Sequence, residues 1–223
     1  CIVNHKSKGS SENLKLIDRD KIDFAIVQND IGHHAYLGLH GTKKNTSFSG
    51  IKPLYKEYVQ IVYKADHPQN LKTLSDLKGK TIAMGDVDSG GYWNGLDILN
   101  AAGLTEGFSF KLIKSKEHPI DSLNTGEADV AIYTSASVHP NLRLSENYRF
   151  IELPASASKY LSVELKKPYY DHGTLIYKTG DLTNTISTIA VQAYLVVNNS
   201  TDSELVEKTI LSLNAFLNDV IIN

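Results

Sequence analysis

Apolar residues stand at helical spacing at Leu14, Leu16 and Ile17, then run unbroken through Phe24-Ala25-Ile26-Val27. The first pattern predicts a helix over 11–19, started by the small residues Gly9-Ser10-Ser11, and the second a buried strand over 23–28. A further helix is expected over 31–39, closed by Gly41, followed by strands over 51–54 and 58–63. Asp66-His67-Pro68-Gln69-Asn70 has the turn-forming composition of a crossing segment. Beyond it the pattern gives a short capped helix over 73–77, a strand over 81–84, and a helix over 92–102 that Gly103 stops. A strand over 110–113, a helix over 119–124 and strands over 129–133 and 150–153 come next. Residues 155–185 carry no clear period, and Lys166-Lys167-Pro168-Tyr169-Tyr170 reads as loop. The chain closes with a strand over 189–197 and an amphipathic helix over 203–220 bearing Leu205, Val206, Ile210, Leu213, Phe216 and Leu217.

Two segments match in kind. Leu16-Ile17 precedes Asp23-Phe24-Ala25-Ile26-Val27, and Leu123 precedes Asp129-Val130-Ala131-Ile132-Tyr133. Each is a helix, an acidic turn and an Asp-led apolar strand that stops on polar side chains: Gln28, Asn29 and Asp30 in the first case, Thr134 and Ser135 in the second. Each half also carries a small-residue helix start, Gly9-Ser10-Ser11 and Ser89-Gly90-Gly91. Such helix starts leave backbone N–H groups for an anion, and polar side chains at the carboxyl end of a parallel strand face the crevice where open α/β sheets bind ligands. The expected architecture is two similar α/β lobes whose strand ends face a shared ligand cleft.

Composition changes this picture little. At 223 residues the chain can build one large domain or two small ones, and a net charge of −2 gives no broad positive field for nucleic acid. No run approaches the roughly 18 apolar residues of a membrane span, and the N-terminus lacks a signal-peptide pattern. The single cysteine, Cys1, excludes an intrachain disulfide. Because Ile2 and Val3 read as though already inside a strand, the chain is expected to be truncated or processed ahead of Cys1. A lipid-bearing Cys1 would normally be followed by a polar tether, and here a strand-like run follows.

Several chemistries find no support. Gly79-Lys80-Thr81 echoes the end of a phosphate loop, but Leu74 stands where the first glycine belongs and the segment leads into a strand. His33, His34 and His40 invite a metal, yet adjacent helical residues point about 100° apart and no HExxH or cysteine partner joins them. No GxSxG elbow surrounds a serine. The expectation is a protein without cofactor, metal or catalytic residues.

Taken together, Cys1-Ile2-Val3, Lys8-Gly9-Ser10-Ser11-Glu12-Asn13 and Asp23-Phe24-Ala25-Ile26-Val27-Gln28-Asn29-Asp30 resemble the TAXI family of TRAP-transporter solute-binding proteins. That family's pattern is close to C-x-V, TGGS-x-x-N and D-F-x-x-x-Q-S-D. Leu77-Lys78-Gly79-Lys80, the Ser89-Gly90 helix start and Gly126-Glu127-Ala128-Asp129 extend the match over nearly the whole chain. The resemblance implies a type II periplasmic-binding-protein fold with two α/β lobes, one formed by 1–66 and 154–223 and the other by 67–153. It further implies a periplasmic or extracytoplasmic protein that closes on an amino acid or dicarboxylate such as glutamate or 2-oxoglutarate and delivers it to the membrane permease of a TRAP transporter. A ligand-sensing domain of a signalling protein is the alternative, and an enzyme on the same scaffold a third.

Ser10, Ser11 and Asn13 are candidate donors in one lobe, with Gln28 and Asn29 to orient the ligand and Asp30 to take an ammonium. Ser89, Gly90 and Gly91, with Tyr133, Thr134 and Ser135, are their counterparts in the other, and Tyr92 and Trp93 are candidate cleft walls. The family's TGGS is Lys8-Gly9-Ser10-Ser11 here and its Q-S-D is Gln28-Asn29-Asp30, so any shift in ligand preference is expected at Lys8 and Asn29. The family also begins with a strand and a glycine- and tyrosine-rich helix start ahead of the position of Cys1, often with a cysteine that would pair with it.

Overall fold

The computed structural model describes residues 3–115, 118–143, 146–179 and 182–222, with side chains described except at 143, 179 and 216–222. Cys1, singled out above for lipidation or pairing, lies outside the described residues. In order the elements are α1 (Ser10–Asp18), β1 (Phe24–Gln28), α2 (Asn29–Leu37), β2 (Phe48–Lys64), a 3₁₀ turn (Leu74–Leu77), β3 (Thr81–Met84), α3 (Gly90–Ala101) and β4 (Lys111–Lys114). They continue with α4 (Pro119–Asn124), β5 (Val130–Ser135), α5 (Pro140–Arg143), β6 (Tyr148–Phe150), α6 (Ala155–Lys159) running into a π-turn (Tyr160–Glu164), β7 (Asp171–Thr179), β8 (Leu182–Asn198) and α7 (Ser203–Ile222). The chain divides into two compact units, Cys1–Leu54 with Ala193–Asn223, and Tyr55–Gln192. Both divisions fall inside long strands, β2 and β8. The lobe boundaries expected near 66 and 154 lie within the second unit.

In the first unit β1 pairs antiparallel with the end of β8, from Phe24 opposite Val197 to Gln28 opposite Ala193. The expectation that its polar end sits in a parallel sheet is therefore corrected: the neighbour of β1 is the returning strand of the chain's end. Helix α1 covers this pair with Leu14 and Ile17, both buried, against Ala25 and Val27. The acidic turn between α1 and β1 places Asp20 at φ 52°, a left-handed conformation that an Asp side chain tolerates. Its carboxylate accepts from Asn198 Nδ2 at 2.8 Å and Ser200 Oγ at 3.0 Å, which hold it below the usual carboxylate range. Sequence-distant polar residues thus fix the turn that aims β1.

In the second unit β5 runs antiparallel to β2 and parallel to β3, and β4 extends the parallel part from the other side of β3. Strand β6 pairs with β2, and β7 with β8, both antiparallel. Side chains alternate faces along each strand. Ile61, Ile82, Met84, Val130 and Ile132 join α3 and the 3₁₀ turn on one face, while Val62, Ala83, Ala131 and Tyr133 join α4 and β7 on the other. A sheet covered on both faces explains why Ile82–Met84 and Val130–Tyr133 are continuous apolar runs.

The expected elements agree with those observed, most within a residue or two at each end, apart from four stretches, the first being Pro140–Arg143, where α5 stands and no element is expected. The strands expected over 51–54 and 58–63 are one 17-residue strand, β2. The strand expected over 150–153 is centred earlier, at Tyr148–Phe150. The unreadable stretch 155–185 contains α6, the π-turn, β7 and the start of β8.

Helix α4 carries a pH-sensitive cap. His118 Nδ1 accepts from Ile120 N at 3.3 Å, and the His118 ring packs against Tyr133 and His139 at 4.6 and 4.4 Å between centroids. Burial, then the neighbouring His139, push its pKa down to about 4, against a smaller opposing pull from Asp121. A proton taken up by the unfolded chain but refused by the folded one destabilises the fold, so the neutral cap contributes fully above pH 6.5, the ordinary value. That contribution is lost as pH falls from 6.5 towards 4. Allowing for the ring's partial exposure, the loss amounts to about 1–2 kcal/mol. Urea unfolding across this range checks it, with His118→Asn, which caps without titrating, expected to flatten the profile.

Candidate functional site

The candidate residues of the first unit gather where α1 begins and β1 ends. Gly9 adopts φ 135°, a conformation open to glycine, and lets the chain enter α1. Ser10 follows it, buried, and its Oγ accepts the backbone N–H of Gln28 at 3.0 Å. Asn13, one turn on, donates Nδ2 to the Ile26 carbonyl at 2.9 Å. The start of the helix is thus fastened to the end of the strand by two side chains from the same short motif. Ser11 lies beside them in α1, half-buried. Gln28 N-caps α2, and Asn29 Oδ1 accepts from the Asp30 N–H at 3.0 Å. Asp30 is fully buried in the first turn of α2, where the helix dipole favours a negative charge. One turn further on, His34 is buried and meets the His40 ring edge to face at 4.3 Å.

A matching junction stands in the second unit. Ser89 caps α3, accepting from Tyr92 N at 3.3 Å while its hydroxyl donates to the Asp86 carbonyl at 2.7 Å. Gly90 and Gly91 open the helix. A Cβ on Gly91 would stand 3.0 Å from Thr134 N and 3.5 Å from Thr134 Oγ1, so the lack of a side chain lets α3 close on the end of β5. Thr134 and Ser135 are half-buried at that strand end.

Tyr133 faces the opposite way. Its hydroxyl donates to Gln60 Oε1 at 2.7 Å inside the second core layer, and burial raises its pKa. Tyr92 is buried in the first core layer, meets Trp93 edge to face at 5.2 Å and carries Lys114 Nζ over its ring at 5.6 Å. Trp93 donates its indole N–H to the Val87 carbonyl at 3.0 Å. These three aromatic residues have packing partners of their own. The candidate set of the second unit therefore centres on Ser89, Gly90, Gly91 and Thr134, with Ser135 following on the Tyr133 face of the strand.

Sequence reasoning missed four residues behind this junction. Thr134 Oγ1 donates to Asn94 Oδ1 at 2.9 Å, and Asn94 Nδ2 donates to the Tyr170 hydroxyl at 3.2 Å. Tyr170 donates to Asp97 Oδ2 at 2.8 Å, and Asp97 Oδ1 receives Lys167 Nζ at 2.7 Å. Asn94, Asp97 and Tyr170 are all buried. A signal was present in the sequence: Asn94 and Asp97 stand three apart on a helix otherwise apolar on that face, a spacing that puts both on one side.

The remaining motifs resolve into local structure. Gly79, at φ 76°, turns the chain into β3, and Lys80 Nζ bonds Gln69 Oε1. Among the described residues no group of three or more His, Cys, Asp or Glu side chains is placed to hold a metal ion. No described helix is long and apolar enough to cross a membrane.

A family model described as the NMT1-like family matches residues 2–221. Among solved structures, the chain is similar to an ancestral arginine-binding protein bound to arginine, at 16% identity over 94% of this chain and 72% of that one, with a TM-score of 0.50. It is similar to the substrate binding protein of an amino acid ABC transporter, at 13% identity over 92% and 70% of the two chains, with a TM-score of 0.50. It is also similar to a Corynebacterium glutamicum OxyR C206 mutant, at 16% identity over 96% of this chain and 54% of that one, with a TM-score of 0.51. The chain thus spans from 54% to 72% of the length of these three. Likeness at these identities carries the fold, which is α/β and type II periplasmic-binding-protein-like.

Proposed function

The chain belongs to the NMT1-like family, and from that premise we propose that it is an extracytoplasmic solute-binding protein for a small carboxylate or amino acid, with no catalytic step. The observation that carries this is the repeated junction. In each unit a small-residue helix start is fastened to a polar strand end, by Ser10 to Gln28 in one and by Gly91 against Thr134 in the other. Helix N-termini favour carboxylates, and hydroxyl and amide side chains at strand ends supply the few directional contacts a small-molecule site needs. Lobe closure and delivery to a membrane permease of the TRAP type belong to this proposal through the resemblance to the TAXI family. The structures bound to arginine or assigned to amino acid transport support an amino acid as the solute class.

A thermal-shift series with L-glutamate, 2-oxoglutarate and L-arginine tests it. A ligand at 100 times its dissociation constant should add about 2.7 kcal/mol of stability. Ser89→Ala and Gln28→Ala should each reduce the ligand-induced shift relative to the unliganded variant. Absence of a shift with any of the three solutes, or shifts that neither variant changes, would refute the assignment.

A further inference from the structure

Of the four bonds behind Thr134, three run donor to acceptor from Thr134 to Asp97, and Lys167 fixes that far end by donating into Asp97 from the other side. Asp97 is a carboxylate in an ion pair with Lys167, so both of its oxygens accept: Oδ1 from Lys167 at 2.7 Å and Oδ2 from Tyr170 at 2.8 Å. The single hydroxyl proton of Tyr170 is used there. Its oxygen must therefore accept from Asn94, which settles which end of that amide is which: Nδ2 faces Tyr170 at 3.2 Å and Oδ1 faces Thr134 at 2.9 Å. An amide oxygen cannot donate. Thr134 must therefore spend its own proton on Asn94, leaving its oxygen to the half-buried junction with α3 as an acceptor.

We propose that Asp97, Tyr170 and Asn94 are positioning residues that set Thr134 Oγ1 as a hydrogen-bond acceptor, so that the solute presents a donor there, an ammonium group and not a carboxylate or keto oxygen. The inference rests on the solute-binding function proposed above and narrows it to amino acids. The physical reason is discrimination by an unmet partner. An acceptor oxygen facing a solute oxygen leaves both without a proton, whereas an ammonium satisfies it. The α3 N-terminus beside it, opened by Gly90 and Gly91, is suited to the carboxylate of the same solute. The ion pair with Lys167 serves as the anchor that keeps the chain of donors from reversing.

Reversal is the test. In Asp97→Asn, Lys167 keeps its bond to Oδ1 and the new amide nitrogen donates to Tyr170. Tyr170 then donates to a flipped Asn94, Asn94 donates to Thr134, and the Thr134 proton turns outward. Calorimetric titration with two pairs of probes reads this out: L-glutamate against 2-oxoglutarate, and L-arginine against 5-guanidino-2-oxopentanoate, each differing only in amino versus keto. The unaltered chain is expected to favour the amino member of the pair it binds by at least about tenfold, and Asp97→Asn to narrow or invert that ratio. Tyr170→Phe, which leaves the Asp97 to Lys167 pair in place, should also narrow it, and Thr134→Ser should preserve it.

Equal weakening of both members in Asp97→Asn and Tyr170→Phe would mean a purely structural network and overturn the proposal. An unaltered chain that prefers the keto member would overturn it while leaving solute binding intact. No binding of either pair would overturn the solute-binding proposal and this inference together.

Discussion

Gly95→Val should destabilise the protein by about 3 kcal/mol, the upper end of what overpacking a core costs, while Gly95→Ala should be close to neutral. Gly95 lies in the middle of α3, where a Cβ would stand 2.9 Å from Met84 Sδ and 3.2 Å from Ile132 Cγ2. For alanine the two effects oppose each other. Removing a glycine from a helix interior gains about 0.8–1 kcal/mol, and the nearest atom belongs to a methionine, whose unbranched side chain can shift by a few tenths of an ångström. Valine adds two further methyl groups against Met84 and Ile132, both fully buried, and nothing there can yield that much. Thermal unfolding checks both variants, and the valine loss corresponds to a fall of roughly 6–12 °C for a chain of this size. Equal stability of the two would mean that α3 does not sit against β3 and β5 as described.

The elements that were legible in the sequence are those whose local pattern and packing agree. Residues 82–84 and 130–133 are apolar on both faces because they are covered on both, and Gly103, at φ 71°, ends α3 as its position predicted. Strand β2 was broken in two at Tyr55 to Glu57, the gap between the expected strands; there the strand is only partly covered, with Tyr55 and Lys56 exposed. Strand β7 was missed for a related reason. It lies in the stretch without a clear period, and its Gly173 is the residue that lets the strand pass the Tyr58 ring, since a Cβ would stand 2.8 Å from Tyr58 Cε1 and 2.9 Å from the Ala190 Cβ.

The candidate site was legible in outline, as two helix starts and two strand ends, because its motifs are local. What supports it was not. The partners of Asp20 lie at Asn198 and Ser200, and those of Asn94 and Asp97 at Thr134, Lys167 and Tyr170. Tyr133 shows the converse. Period-2 alternation puts it on the face opposite Thr134, so a strand end reads as three candidates while offering its side chains to two environments.

Ile17→Ala is expected to cost about 2–5 kcal/mol, the usual range for truncating a buried isoleucine, and to act through the first unit's junction. Ile17 is fully buried, and its backbone carbonyl receives both Asp20 N at 2.9 Å and Asn198 Nδ2 at 3.1 Å, so it packs α1 on β1 at the turn that orients the pair. Among the described residues the buried apolar members of this unit are few: Leu14, Ala25, Val27, Ile31, Ala193, Val196 and Val197 stand beside Ile17. A cavity there removes a large share of a small core, so opening should be local to α1 and β1. Hydrogen exchange of the β1 amides should accelerate by about 30-fold or more, since each 1.4 kcal/mol is tenfold, while the β3 and β5 amides keep their protection. Because Ser10 and Gln28 meet across the same α1 and β1 packing, solute affinity should fall with it. Uniform acceleration across both units would instead mean that they open as one.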